Sequence, residues 1–203
     1  MEIVTVTFFG SAKSRPQEKN FEDARTTAKA IALSGRRVVN GGGPGVMLAA
    51  TLGAKEGEGQ TTVVYYKPEL ATAFEGKAAA NFADESFEEA NYIMRTKKLL
   101  ELGDAYIVFN GGTGTLSEFA MAWGVNRLYF GHHKPLLLYG DFWQNIMDDF
   151  KKYMMVRDEE YEIFTIVNSP SEVLAALQTY EQILAKNRHE HVECVGPECR
   201  LIL

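Results

Sequence analysis

Val108-Phe109 runs straight into Asn110-Gly111-Gly112-Thr113-Gly114-Thr115, and Leu116-Ser117-Glu118 follows with helical character. This is a buried strand breaking into a glycine turn that opens a helix. Glycines let the backbone turn sharply and approach a ligand closely, and a helix start offers unpaired N–H groups to an anion. A second cluster, Asn40-Gly41-Gly42-Gly43-Pro44-Gly45, follows an earlier strand in the same way. A chain that repeats this junction is constrained to alternate strands and helices with the turns on one edge of a sheet.

The rest of the sequence keeps that alternation. Strand patterns cover Ile3 to Phe9, Arg37 to Asn40, Gln60 to Tyr66, Ala105 to Phe109, Pro135 to Tyr139 and Glu162 to Val167. Helical spacing covers Phe21 to Ser34, Val46 to Lys55, Asn91 to Leu102, Thr115 to Leu128, Phe142 to Tyr153 and Pro170 to Lys186. Lys67 to Asn81 reads as a loop with room for one helical turn, placed to cover a binding site. The expected fold is α/β, a doubly wound parallel sheet with helices on both faces, in one domain over 1–187 with a C-terminal tail over 188–203. Ligands of such sheets bind at the carboxyl ends of the strands, near a switch in strand order. Gly10-Ser11 and both glycine loops share that edge.

Composition narrows the function. Net charge is −6 over 203 residues, which argues against broad nucleic-acid binding. The longest apolar stretches are strand-sized, too short for a membrane span. Met1 to Val6 enters a strand pattern without a basic leader, so the expected location is the cytoplasm. The two cysteines, Cys194 and Cys199, lie in the tail near His189 and His191, with a spacing that matches no zinc pattern.

Neither glycine loop is a standard nucleotide signature. Asn40 to Gly45 lacks the Lys-Ser/Thr ending of a P-loop, and Gly10-Ser11 is not G-x-G-x-x-G, so no dinucleotide cofactor is indicated. Each loop reads as a tight turn or as a phosphate site. Glu118, placed in the first turn of its helix, reads as a capping carboxylate or as a group facing sugar hydroxyls. On the preceding helix, Arg95 is the best candidate to reach an anion or a purine, and Lys97 and Lys98 read equally as a solvated face.

Together these segments resemble the LOG (Lonely Guy) family of cytokinin-activating phosphoribohydrolases. The family motif P-G-G-x-G-T-x-x-E is matched from Asn110 to Glu118, with Asn110 in place of Pro and Ser117 in place of an acid. Met94-Arg95-Thr96-Lys97-Lys98 is similar to the family's Met-Arg-Lys helix, with Thr96 where the family has Lys. Phe9-Gly10-Ser11 and Gly41-Gly42-Gly43-Pro44-Gly45-Val46-Met47 resemble its first two loops. The resemblance implies a Rossmann-like fold and a homodimer. It also implies hydrolysis of the N-glycosidic bond of a nucleoside 5′-monophosphate, AMP or an N6-modified AMP, without metal or organic cofactor. It makes Arg95 and Glu118 the catalytic pair. Substrate would be held by Gly10, Ser11, Gly42, Gly43, Gly45, Met94, Lys98, Gly111, Gly112, Thr113, Gly114 and Thr115. The competing reading is a non-catalytic binding protein of the same superfamily, a nucleotide-derivative sensor or a carrier resembling molybdenum-cofactor carriers. Such a protein keeps the glycine loops without needing Glu118 and Arg95 together.

Overall fold

The structure, a computed structural model, describes residues 2–67, 78–129 and 133–186. Thirteen strands and helices run through it, alternating except where the strand Glu85–Glu89 follows the strand Thr61–Tyr66. They are β1 (Thr5–Phe9), α1 (Lys19–Leu33), β2 (Arg37–Asn40), α2 (Val46–Glu56), β3 (Thr61–Tyr66), β4 (Glu85–Glu89) and α3 (Tyr92–Leu102). There follow β5 (Ala105–Val108), α4 (Thr113–Leu128), β6 (Leu136–Tyr139), α5 (Phe142–Tyr153), β7 (Phe164–Val167) and α6 (Pro170–Lys186), with a 3-10 turn at Asp158–Glu162. The strands form one sheet in the order β4-β3-β2-β1-β5-β6-β7, and every pairing is parallel.

Strand alternation assigns the two faces. Val6, Phe8 and Ile107 point into a core shared with Phe21, Ala24, Ala28 and Ile31 of α1, Val46 and Ala49 of α2, and Val173 and Leu177 of α6. Phe9, Tyr106 and Val108 point the other way, onto Leu99 and Leu100 of α3, Phe119 of α4, and Trp143 and Met147 of α5. Strands buried on both faces are near-continuous apolar runs, which is how β5 and β6 read in the sequence. The expected doubly wound α/β fold is the fold observed.

One strand went unread. β4 is Glu-Ser-Phe-Glu-Glu, with three acids and no β-branched residue, so it carries no strand signal. It lies at the sheet edge, pairs only with β3, and its acids suit the exposed side of an edge strand. The loop expectation for 67–81 falls largely on residues 68–77, outside those described, as does the tail expectation for 188–203. Asp104 anchors the sheet's centre. Its carboxylate accepts from the N–H groups of Val4 and Thr5, fixing the start of β1 beside β5.

Candidate functional site

The chain leaves β1 to build β2, β3 and β4 on one side, then returns to lay β5 on the other. The carboxyl ends of β1 and β5 therefore diverge at the switch point, where a crevice opens. Three turns meet there through the main chain. Ser11 N–H donates to the carbonyl of Asn110 at 3.0 Å, and the Ser11 carbonyl accepts from Val46 N–H at 2.9 Å. The turn after β1 is thus tied to both glycine loops. Asn110, where the family motif has Pro, contributes a carbonyl to Ser11 and to the Asn20 side chain. Pro supplies that acceptor equally well, which accounts for the exchange.

The resulting cleft is about 390 Å³. Arg95 and Glu118 lie in its wall, 7% and 6% exposed. Arg95 Nη1 donates to Glu118 Oε1 at 2.8 Å, Nε to the Val64 carbonyl at 3.1 Å, and Nη2 to Met47 Sδ at 3.7 Å. No described residue donates to Glu118 Oε2. Burial pushes the Glu118 carboxyl above its ordinary value, and the Arg95 guanidinium pulls it back only in part. The helix α4 starts at Thr113, two residues before the expected Thr115, so Glu118 stands in its second turn. The capping reading of that carboxylate therefore fails, because the first turn of α4 has no acid. The cap residue Gly112 provides no side chain, so the N–H groups of Thr113, Gly114 and Thr115 open the helix without an intrahelical acceptor.

Of the residues expected at the site, Gly10, Ser11, Gly43, Arg95, Gly112, Thr113, Gly114, Thr115 and Glu118 line this one cleft. Five do not. Gly42 (φ +71°) and Gly45 (φ +66°) shape their loop from behind. Gly111 packs against Thr115, where a Cβ would overlap the hydroxyl. Met94 is largely exposed, and Lys98 lies over the Phe87 ring of β4 at 5.0 Å. Lys97 pairs with Glu101, and Thr96 is fully buried, so α3 delivers one cation to the cleft, Arg95.

The sequence reading missed Lys13, Gly41, Met47, Tyr66 and Tyr92, all of which line the cleft. Their position was a usable signal, since Lys13, Gly41 and Tyr66 lie at or just beyond the ends of β1, β2 and β3. Tyr92 projects from the first turn of α3. Its hydroxyl reaches the Gly114 carbonyl at 3.1 Å and contacts Ser117 Oγ. The serine that replaces an acid in the motif thus joins α4 to α3 through a hydroxyl pair. Among the described residues no cluster of His, Cys, Asp and Glu is arranged to hold a metal, and no helix is long and apolar enough to cross a membrane.

Comparison with known proteins agrees with this fold and identifies a family. The model of the SLOG cluster4 family matches residues 3–162. A cytokinin riboside 5′-monophosphate phosphoribohydrolase of Rhodococcoides fascians is 34% identical over 139 residues, covering 68% of this chain and 68% of that protein. Among solved structures, the molybdenum cofactor binding protein of Rippkaea orientalis superposes with a TM-score of 0.65 at 24% identity, over 89% of this chain and 97% of that one. The Moco carrier protein of Chlamydomonas reinhardtii superposes with a TM-score of 0.62 at 20% identity, over 92% and 99%. At those identities the superpositions establish the fold.

Proposed function

The chain belongs to the LOG family and matches the model of the SLOG cluster4 family, and on that premise we propose that it hydrolyses the N-glycosidic bond of a nucleoside 5′-monophosphate. The products are a free base and ribose 5-phosphate. The relative's name, a hydrolase of a cytokinin riboside 5′-monophosphate, supports an N6-modified AMP as substrate, and AMP is its unmodified counterpart. The observation that carries the reading is the buried Arg95–Glu118 pair, open to a cleft beside the uncapped start of α4.

In this reading the phosphate docks on the N–H groups of Thr113, Gly114 and Thr115, where the helix dipole favours an anion. Gly112 keeps that approach clear, since a Cβ there would meet nothing within 4 Å. The ribose then faces Glu118, whose Oε2 has no donor among the described residues. As the bond from C1′ to the base nitrogen breaks, positive charge develops on the sugar ring. A carboxylate beside it stabilises that charge and orients the attacking water. The departing base takes up a proton, and water supplies the hydroxyl at C1′. Arg95 holds Glu118 in place and offsets in part the rise that burial imposes on its carboxyl.

One accompanying feature supports a homodimer. The solvent side of α4 carries Leu116, Ala120, Gly124 and Leu128 at intervals of four residues, an exposed apolar and small-residue line. Gly124 has open space around it, so Gly124→Arg would leave the protomer fold intact while blocking a second copy, read as a halved mass in sedimentation. We place the activity in the cytoplasm, where free nucleotides are held.

The test is a panel of nucleoside 5′-monophosphates with detection of free base. Release from AMP or an N6-modified AMP, lowered by about 10²–10⁴-fold in Glu118→Ala, is the expected result. No release from any nucleotide, with the variant indistinguishable from the native protein, would sink the enzyme reading. A ligand that co-purifies intact and binds without turnover would instead identify a carrier.

A further inference from the structure

Arg95 is not available as a free counter-ion. All three of its nitrogens donate within the protein, and its charge is matched by Glu118. Among the described residues the remaining charged side chain on the cleft lining is Lys13. It is exposed, and among the described residues it has no acidic partner within ion-pair distance. Its main chain, however, is fixed. Lys13 N–H donates to Ser11 Oγ at 3.0 Å, and Ser11 is bound in turn to Asn110 and Val46. A mobile ammonium is therefore carried on a turn clamped to both glycine loops, at the mouth of the cleft. The molecule around it is acidic overall, at −6, so an incoming anion depends on local positive potential.

We propose that Lys13 is the specificity-determining cation of this cleft, selecting ligands that carry a terminal phosphate over their unphosphorylated counterparts. The inference rests on the phosphate-site reading above and deepens it. Main-chain N–H groups at α4 fix where a phosphate sits, and they serve a singly or doubly charged oxyanion alike. A flexible ammonium adds a point charge that tracks the dianion during its approach. A charge at the rim of a site acts mainly on association and on salt dependence.

Calorimetric titration with ribose 5-phosphate tests this without relying on turnover. Native protein is expected to bind it with an affinity that falls as salt rises from low ionic strength to about 0.5 M, where exposed charges are screened within a few ångströms. Lys13→Gln should weaken binding about five- to tenfold at low salt and flatten the salt dependence, and Lys13→Arg should keep most of both. Because Lys13 is exposed, unchanged thermal unfolding of the unliganded variant would confirm that folding is not the cause. Binding by Lys13→Gln equal to the native protein, with the same salt slope, overturns the role of Lys13 and leaves the phosphate site standing. Failure of native protein to bind ribose 5-phosphate at all overturns both.

Discussion

The two glycine loops look alike in sequence and do opposite work. In the loop from Asn40 to Gly45 every glycine is buried. Gly41 lies under the Arg95 guanidinium, and a Cβ at Gly45 would overlap the Ser11 carbonyl. A closed polar triangle braces it from below. Asn40 donates to Thr51 at 2.9 Å, Thr51 to Asn81 at 2.6 Å, and Asn81 back to Asn40 Oδ1 at 3.3 Å and to the Gly43 carbonyl at 3.0 Å. In the loop from Gly111 to Gly114 all four residues are exposed, and at Gly112 there is open space. At Gly41, Gly42 and Gly45 protein fills the room a side chain would take. At Gly112 and Gly114 that room is left free, and only Gly111, packed on Thr115, resembles the first loop. Counting glycines cannot separate these cases, and what surrounds each Cα does.

Substituting the loops one residue at a time would break or sharpen that contrast. The largest expected effect is at Gly41. Alanine there would push the Arg95 guanidinium off its place beside Glu118 and Met47, and a displacement of about 1 Å in a catalytic constellation costs roughly 10²-fold in rate. Base release assayed for Gly41→Ala checks this, and full activity would show that Arg95 does not position Glu118. Next comes Gly45→Ala, which meets backbone and a positive φ together. It should lose about 1–3 kcal/mol in urea unfolding. Gly112→Ala is the counterpart in the open loop. Its stability should stay within about 0.5 kcal/mol of native, while its affinity for ribose 5-phosphate falls. If its affinity were unchanged, the open loop would not be where phosphate sits.

The smallest effect concerns pH. Burial raises the Glu118 carboxyl above its ordinary 4.5, so the folded protein holds that proton more tightly than the unfolded chain does. The stability this contributes is complete below pH 4.5 and is lost as pH rises through the folded value. The stability difference between native protein and Glu118→Gln should therefore shift in favour of the native protein as pH falls from 7 towards 4.5. A flat difference over that range would mean that Arg95 cancels the burial entirely. The same raised carboxyl sets the acid limb of any hydrolysis above pH 4.5.

Much of the fold was legible because its signals are local. β2, α5 and α6 match their expected limits residue for residue, since each is bounded by its own punctuation: Gly35 and the glycine cluster, Gly140 and Tyr153, Pro170 and the end of the apolar spacing. β4 was illegible because an edge strand needs only backbone pairing to β3, and its side chains carry no pattern. The start of α4 was misplaced by two residues because Thr113-Gly114 reads as turn. Only the completed helix shows that Gly112 is its cap.

Sequence by itself determined the layer order, the two glycine junctions and the identity of Arg95 and Glu118 as a pair worth seeking. The first two follow from periodicity and from motifs contiguous in the chain, and the pairing of Arg95 with Glu118 follows from the resemblance to the LOG family. Tertiary structure decided which glycines face a ligand and which face protein, and that α3 brings Arg95 to the cleft but turns Lys98 onto Phe87. It also brought in Lys13, Tyr66 and Tyr92 from three separate segments. Burial and mutual orientation depend on residues far apart in the chain, joined here at the divergence of β1 and β5, and no local pattern records them.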